Sequence, residues 1–178
     1  MQSPAYARNN HTHHFVKPRR LKPSLYATDA EGVGDTRRLH LHGDMGFSVL
    51  ICDDVPAVQK MMRRLLEREG LIVAGLASTA EEALALYAEC APDVVLLDLN
   101  MPGAKGLDLL RELRELDPTA CVVICSGAGD ENLRLEAQAL GAAEWVLKPI
   151  FTASLVTLLR DVLAKSQLVR NARATESY

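Results

Sequence analysis

Five side chains suited to metal and phosphoryl chemistry stand at the ends of short apolar stretches in this chain of 178 residues: Asp53, Asp54, Asp98, Ser126 and Lys148. Carboxylate oxygens are ligands for hard divalent cations, and a carboxylate can also act as a nucleophile. If the apolar stretches are neighbouring strands of one parallel sheet, these groups meet at the edge where open α/β sheets place their sites. The pattern therefore predicts a site for a divalent metal ion and a phosphoryl group.

The elements that must position these groups follow a regular alternation from residue 47 to about residue 165. Five short apolar stretches alternate with five segments in which apolar residues recur at helical spacing. Helix signals stand between them: Pro56 suits a first helical position, Ser78-Thr-Ala-Glu81 has the form of a capping box, Asp130 suits a helix start, and Gly70 and Gly141 suit helix ends. Continuous apolar strands are typical of a sheet covered on both faces. The predicted fold class is α/β, with a doubly wound five-stranded parallel sheet.

The net charge of −3 conceals two different kinds of chain. Residues 1–45 carry seven Lys and Arg against four Asp and Glu, together with all five histidines, whereas residues 46–178 carry thirteen against nineteen. Residues 1–45 show no sustained period, so we predict a disordered tail, followed by a domain over residues 46–166 and a C-terminal tail over residues 167–178. An alternative is that Met45, directly before the first strand, is the true start.

The sequence also indicates where in the cell the protein is expected. No apolar run approaches the ~18 residues of a membrane span, and the first residues lack the apolar middle of a secretory signal. We therefore expect a cytoplasmic location and no membrane insertion. The four cysteines lack metal-pair or tight disulfide spacing, and we interpret Cys52, Cys121 and Cys125, which lie in strand-like runs, as buried structural thiols.

Four motifs give the chain a resemblance to a known family. They are the acidic pair at 53–54, Asp98-Leu-Asn-Met-Pro102 with Gly106, Ser126-Gly-Ala128, and Trp145-Val-Leu-Lys-Pro149. In this order, each at the end of an apolar run, they resemble the receiver domain of two-component response regulators, especially the stand-alone chemotaxis type. The resemblance covers about residues 47–165 and implies a flavodoxin-like fold.

The resemblance implies a phosphoacceptor and a metal site. Asp98 would be the nucleophile that accepts the phosphoryl group. The Mg²⁺ ligands would be Asp54, Asp98 and the backbone carbonyl of Asn100, with Asp53 acting partly through water. For the acidic pair taken alone, a helix N-cap is an alternative role.

The resemblance also implies a set of residues that respond to the phosphoryl group. Lys148 would pair with a phosphoryl oxygen, aimed inward by a cis bond to Pro149, instead of being an exposed lysine at a strand end. Ser126 would donate a hydrogen bond to the phosphoryl group. Trp145 stands at the aromatic switch position, with a packed surface tryptophan as the alternative.

The function implied is that of a phosphoacceptor signalling protein and not an enzyme. A sensor histidine kinase or a histidine phosphotransfer protein would donate to Asp98, and the surface of the fourth helix, fifth strand and fifth helix would bind a downstream protein. One alternative is a pseudo-receiver that acts without phosphorylation. Another is a haloacid-dehalogenase-like phosphatase, which needs an Asp where Asn100 stands. DNA binding is not expected, although the basic stretch Lys17-Pro-Arg-Arg-Leu-Lys22 leaves contact with nucleic acid open.

Overall fold

The computed structural model of the protein describes residues 46–102, 107–127, 129–149 and 153–175. The predicted tail over residues 1–45 lies outside these described residues. Strands and helices alternate through the described chain: β1 (Ser48–Cys52), α1 (Pro56–Arg68), β2 (Ile72–Ala77), α2 (Ala80–Cys90), β3 (Val94–Asp98), α3 (Asp108–Leu116), β4 (Val122–Ser126), α4 (Glu131–Ala139), β5 (Glu144–Leu147) and α5 (Ala153–Thr175). The predicted alternation of five strands and five helices is confirmed.

The five strands form one parallel sheet in the order β2-β1-β3-β4-β5. The chain runs from β1 outward to β2 and then returns to the other side of β1 for β3. The strand order therefore reverses between β1 and β3, where a crevice opens beyond the carboxyl ends of the strands. The predicted doubly wound fold is confirmed.

Alternate residues of the strands belong to two separate hydrophobic cores, one on each face of the sheet. Val49 and Ile51 pack with apolar residues of α1 and α5, while Leu50 and Cys52 pack with those of α2, α3 and α4. All five residues of β3 and all five of β4 are buried. Helices on both faces explain why these central strands are apolar up to their last residue instead of alternating with polar residues.

The ends of the helices test the helix start and end residues that the sequence predicts. Asp130 is the N-cap of α4, where its side chain accepts hydrogen bonds from two backbone N–H groups. Gly70 and Gly141 have φ of 82° and 88°, the left-handed conformation that suits the end of a helix. The capping box of α2 lies one residue later than predicted, because the Thr79 hydroxyl, and not that of Ser78, accepts from the backbone N–H of Glu82 at 3.2 Å.

The last helix corrects the predicted C-terminal boundary. α5 continues to Thr175, so residues 167–175, predicted as a tail, are helical. Neither Gly nor Pro occurs in this helix, and Ala, Leu and Arg, which are good helix formers, recur along it. Within the described part of the chain, no helix combines the length and the apolar character needed to cross a membrane.

Candidate functional site

The sheet places the predicted reactive groups at one edge. Asp53 directly follows β1, Asp98 is the last residue of β3, Ser126 is the last residue of β4, and Lys148 directly follows β5. The strand ends are aligned, since Asp98 lies beside Cys125 of the neighbouring strand in the ladder. Four strand ends thus bring these side chains together across the switch point of the sheet.

Three carboxylates form a cluster at this edge. Asp53, Asp54 and Asp98 each offer a carboxylate oxygen, and these oxygens lie within 4.8 Å of one another. Asp53 and Asp98 are buried while Asp54 is exposed. Mg²⁺ takes oxygen ligands and usually keeps several of its waters. A cluster of oxygen donors with one side open to solvent fits such an ion.

Lys148 lies between the two buried carboxylates. Its Nζ donates to Asp53 Oδ2 at 2.6 Å and to Asp98 Oδ2 at 2.7 Å, and its side chain is only 20% exposed. Burial lowers the pKa of Lys148, but the hydrogen bonds and charges of the two aspartates outweigh burial and raise the pKa above its usual value. Lys148 is therefore the internal counter-charge of the carboxylate cluster.

The backbone around Lys148 holds it against the neighbouring strand. Its N–H donates to the carbonyl of Ser126 at 2.7 Å. The peptide bond between Lys148 and Pro149 is cis, as the resemblance implies. Because Lys148 is only partly exposed and pairs with both buried aspartates, the alternative of an exposed lysine at a strand end is wrong.

The second oxygen of each buried carboxylate faces its own loop. Asp53 Oδ1 accepts from the backbone N–H of Val55 at 2.9 Å, and Asp98 Oδ1 accepts from the N–H of Asn100 at a long 3.4 Å. The N-cap of α1 is Val55, and no side chain caps this helix. The alternative role of Asp53 and Asp54 as a helix N-cap is therefore wrong.

Gln59 is a residue of this site that the sequence prediction missed. Its side chain is buried beneath the β1–α1 loop, and its Nε2 donates to the carbonyl of Asp53 at 2.6 Å and to the carbonyl of Ala77 at 2.9 Å. It thus ties the acidic loop to the end of β2. A signal was present, because Gln59 is polar yet lies on the face of α1 that buries Met62 and Leu66.

We expect a Gln59→Leu substitution to lower the free energy of unfolding by about 1–3 kcal/mol, because two buried carbonyls lose their donor. Mg²⁺ affinity should fall as well, since the loop carrying Asp53 and Asp54 loses its anchor. Chemical denaturation and a Mg²⁺ titration measure the two effects. Gln138→Leu, a matched change at an exposed position of α4, should alter neither quantity. Unchanged stability and metal affinity in Gln59→Leu would show that its hydrogen bonds do not position the loop.

The remaining predicted residues lie in different environments. Ser126 is buried at the end of β4, beside Leu147 in the ladder. Trp145 is half-buried on the edge strand β5 and packs against the core formed with α2, α3 and α4. Asn100 is exposed in the loop after β3.

The cysteines near the site are structural. Cys52, Cys121 and Cys125 are buried, as predicted, and Cys52 and Cys125 lie close to the carboxyl ends of their strands. Burial raises the pKa of the Cys125 thiol to about 12, even though the charge of Lys148 acts in the opposite direction. Burial likewise raises the pKa of Cys52 far above its usual value. Both thiols stay protonated at neutral pH and contribute no thiolate to the site.

Comparison with known proteins accounts for this combination of fold and carboxylate cluster. The family model of the response regulator receiver domain matches residues 49–160. The chain belongs to the response regulator receiver domain family. The predicted resemblance is thereby confirmed, and membership of this family makes the protein a component of two-component signalling.

Individual receiver proteins show how far the similarity extends. The chemotaxis protein CheY of Thermotoga maritima is 35% identical over 118 residues, which cover 66% of this chain and 98% of that protein. A receiver domain protein of Clostridium thermocellum superposes with a TM-score of 0.64 at 32% identity, covering 69% of this chain and 98% of the other. A CheX–CheY–BeF₃–Mg²⁺ complex from Borrelia burgdorferi gives a TM-score of 0.63 at 30% identity, covering 65% of this chain and 88% of the other.

Proposed function

We propose that this receiver domain is the phosphoacceptor of a two-component or phosphorelay system and that Asp98 accepts the phosphoryl group. The supporting observation is the placement of Asp98, a buried carboxylate at the end of a central strand, with Asp53 and Asp54 beside it and Lys148 bound to its Oδ2. Among the described residues, its Oδ1 accepts one hydrogen bond, the long one from the N–H of Asn100. Oδ1 is therefore the less neutralised oxygen and the better nucleophile.

In the proposed reaction, a phosphohistidine of a sensor kinase or of a histidine phosphotransfer protein is the donor. The Asp98 oxygen forms a bond to phosphorus while the bond between phosphorus and the imidazole nitrogen breaks, and the nitrogen keeps the electron pair. The product is an acyl phosphate on Asp98. Such a transfer depends on alignment and charge neutralisation more than on covalent assistance, and the rigid strand end supplies the alignment.

Asp53, Asp54 and Asp98, together with the backbone carbonyl of Asn100, are the residues that would hold Mg²⁺. The ion supplies positive charge that neutralises the phosphoryl oxygens during transfer. The cluster of carboxylate oxygens within 4.8 Å supports this assignment. The presence of Mg²⁺ in the complex from Borrelia burgdorferi points to the same ion.

Lys148 and Ser126 would respond to the new phosphate. The modification adds about −1.5 to −2 charge and strong acceptor oxygens. This charge would attract the ammonium of Lys148 away from the carboxylates and toward a phosphoryl oxygen. The Ser126 hydroxyl would donate to another oxygen and draw its loop inward. Trp145, on the adjacent strand, would then change its packing.

The surface of α4, β5 and α5 is the proposed docking site for a downstream protein. Leu135 of α4 and Leu147 of β5 are 51% and 52% exposed, which is high for large apolar side chains. Partial exposure of apolar side chains near an aromatic residue suits recognition by another protein. The phosphorylated state would change the shape of this surface around Trp145.

The metal assignment has a direct test. We expect Asp54→Ala to weaken Mg²⁺ binding at least about tenfold, because it removes a ligand, and to keep the fold, because Asp54 is exposed. Isothermal calorimetry, or the fluorescence of the single tryptophan, follows the titration. Glu89→Ala, at an exposed position of α2, should bind Mg²⁺ as the wild type does. Undiminished Mg²⁺ binding by Asp54→Ala would exclude the assigned ligands.

A further inference from the structure

The junction between β2 and α2, residues 77–80, is bonded to both loops that carry the proposed metal ligands. One of these loops follows β1 and contains Asp53 and Asp54, and the other follows β3 and contains Asn100. The junction itself consists of two alanines, a serine and a threonine. Its effect on the site therefore comes through the hydrogen bonds that it makes to the two loops.

The first set of bonds joins the junction to the β1–α1 loop. The N–H of Asp53 donates to the carbonyl of Ala77 at 3.0 Å, and the same carbonyl accepts from Gln59 Nε2 at 2.9 Å. Gln59 Nε2 also donates to the carbonyl of Asp53 at 2.6 Å. The peptide groups on both sides of the Asp53 side chain are thus fixed relative to the junction.

A second bond joins the junction to the β3–α3 loop. The N–H of Ala80, the first residue of α2, donates to the carbonyl of Pro102 at 3.0 Å. The neighbouring Met101 is buried. Asn100 lies between these fixed residues and Asp98, the last residue of β3. A short segment held at both ends has few conformations to lose, so the bond to Ala80 limits where the Asn100 carbonyl can lie.

The start of α2 keeps the N–H of Ala80 in place. The Thr79 hydroxyl accepts from the N–H of Glu82 at 3.2 Å, and Glu82 Oε2 accepts from the N–H of Ser78 at 2.7 Å. The side chain of Ala80 is buried. Capping contacts of this kind stop the first turn of a helix from fraying, so the N–H of Ala80 stays directed at the β3–α3 loop.

We propose that residues 77–80 are a positioning element of the metal site, which holds the β1–α1 and β3–α3 loops at a fixed separation. Ala80 positions the Asn100 carbonyl, and Thr79 acts by keeping Ala80 in place. This inference rests on the proposed metal site and extends it to a strand and a helix that supply none of the proposed ligands. Groups that orient metal ligands from outside typically contribute about tenfold or more to the affinity, because ligands already in place need not be ordered when the ion binds.

Ala80→Pro removes the N–H of Ala80 and preserves the start of α2. Proline is favoured at the first position of a helix, and the extended backbone of Thr79, with φ of −134° and ψ of 162°, suits the residue before a proline. We expect the variant to keep the helical circular dichroism of the wild type and to bind Mg²⁺ about tenfold more weakly in calorimetry. Glu131→Pro, the same substitution at the first position of α4, should bind Mg²⁺ within about twofold of the wild type at an ionic strength that screens its change of charge.

The N-cap gives a second variant, whose effect can be reversed. Thr79→Val preserves size but loses the hydroxyl, so Mg²⁺ affinity should fall by about threefold or more, whereas Thr79→Ser, which still caps, should restore it. Thr119→Val is the matched control, because it also loses a bonded hydroxyl, 2.7 Å from Asp117, but lies before β4 at the opposite end of the sheet. Its Mg²⁺ affinity should be that of the wild type.

Amide hydrogen exchange reads the coupling in the wild-type chain. If the junction favours Mg²⁺ binding, Mg²⁺ must stabilise the junction to the same degree. Saturating Mg²⁺ should therefore slow the exchange of the Ala80 amide. The exchange of the Ala91 amide, which donates to the Tyr87 carbonyl at the other end of α2, should stay unchanged.

The outcomes separate this inference from the proposed function. If Asp54→Ala weakens Mg²⁺ binding but Ala80→Pro binds the ion within about twofold of the wild type, the positioning role is overturned and the assigned carboxylate ligands stand. An Ala80 amide whose exchange is the same with and without Mg²⁺ would also overturn the positioning role alone. A wild-type chain that does not bind Mg²⁺ would overturn both the positioning role and the metal assignment.

Discussion

An Asp98→Asn variant is expected to lose phosphorylation completely and to keep its fold. The amide nitrogen is not a nucleophile, and the amide oxygen carries no full charge with which to attack phosphorus. The substitution preserves size, and the amide oxygen can still accept the hydrogen bond that Lys148 Nζ now donates to Asp98 Oδ2 at 2.7 Å. Intact mass after incubation with Mg²⁺ and a small acyl phosphate donor measures the labelling, and circular dichroism checks the fold.

The matched control for this variant is Asp108→Asn, the same chemical change on α3, outside the carboxylate cluster. It should be labelled as the wild type is. The conformational response should depend on the phosphoryl group, so Asp98→Asn should also lose any phosphorylation-dependent change in Trp145 fluorescence. Normal labelling of Asp98→Asn would remove Asp98 as the acceptor and leave the proposed reaction without its nucleophile.

The second large effect is expected from Lys148→Ala. Removing the ammonium leaves two buried carboxylates without their counter-charge, and breaking a buried ion pair in this way costs on the order of 3 kcal/mol. Mg²⁺ should restore much of the lost stability, because the ion supplies positive charge at the same carboxylates. Denaturant unfolding with and without Mg²⁺ measures both effects. Lys60→Ala, at an exposed position of α1, should change stability by less than about 0.5 kcal/mol.

The pH dependence of the same variant gives a further check. The pKa of Lys148 is raised in the folded protein, so the stability that it contributes is complete at neutral pH. That contribution is lost only as the pH rises above the ordinary range of lysine and through the raised pKa. The difference between wild type and Lys148→Ala should therefore shrink in strongly alkaline solution. A difference that is equally large there would mean that the charge of Lys148 is not its cause.

Phosphorylation of Lys148→Ala should survive in part, because Asp98 and the metal ligands remain. Binding of the downstream protein should no longer depend on phosphorylation, since Lys148 is the group that would move toward the phosphate. This combination separates the response from the transfer. Full loss of labelling would instead assign Lys148 to the transfer step itself.

The fold could be predicted because its determinants are local and repeated. Completely apolar stretches such as Val94-Val-Leu-Leu97 indicate strands covered on both faces, and Asp130 and Gly141 bound a helix by standard capping chemistry. Once the strands are parallel, their polar ends must converge. The approach of Asp53, Asp54 and Asp98 to one another was therefore predictable without coordinates.

Other features depend on contacts between segments distant in sequence, which a local pattern does not contain. Gln59 donates to the carbonyl of Asp53 in the β1–α1 loop and to that of Ala77, the last residue of β2. The Ser78 hydroxyl lies 3.1 Å from Gln59 Nε2, and the hydroxyl that caps α2 is that of Thr79. The double contact of Lys148 was likewise missed, because the need for a counter-charge between two carboxylates follows only from their burial.

The most direct test of the proposed function is to locate the phosphoryl group on the wild-type chain. The purified protein is incubated with Mg²⁺ and a phosphohistidine or small acyl phosphate donor, and the modified peptide is identified by mass spectrometry. We expect one phosphoryl group per chain, on Asp98, dependent on Mg²⁺ and lost again over time as the acyl phosphate hydrolyses. A phosphoryl group on Asp53 or on a histidine would contradict the proposed function. So would the absence of labelling by any donor, which would instead indicate a pseudo-receiver that signals without phosphorylation.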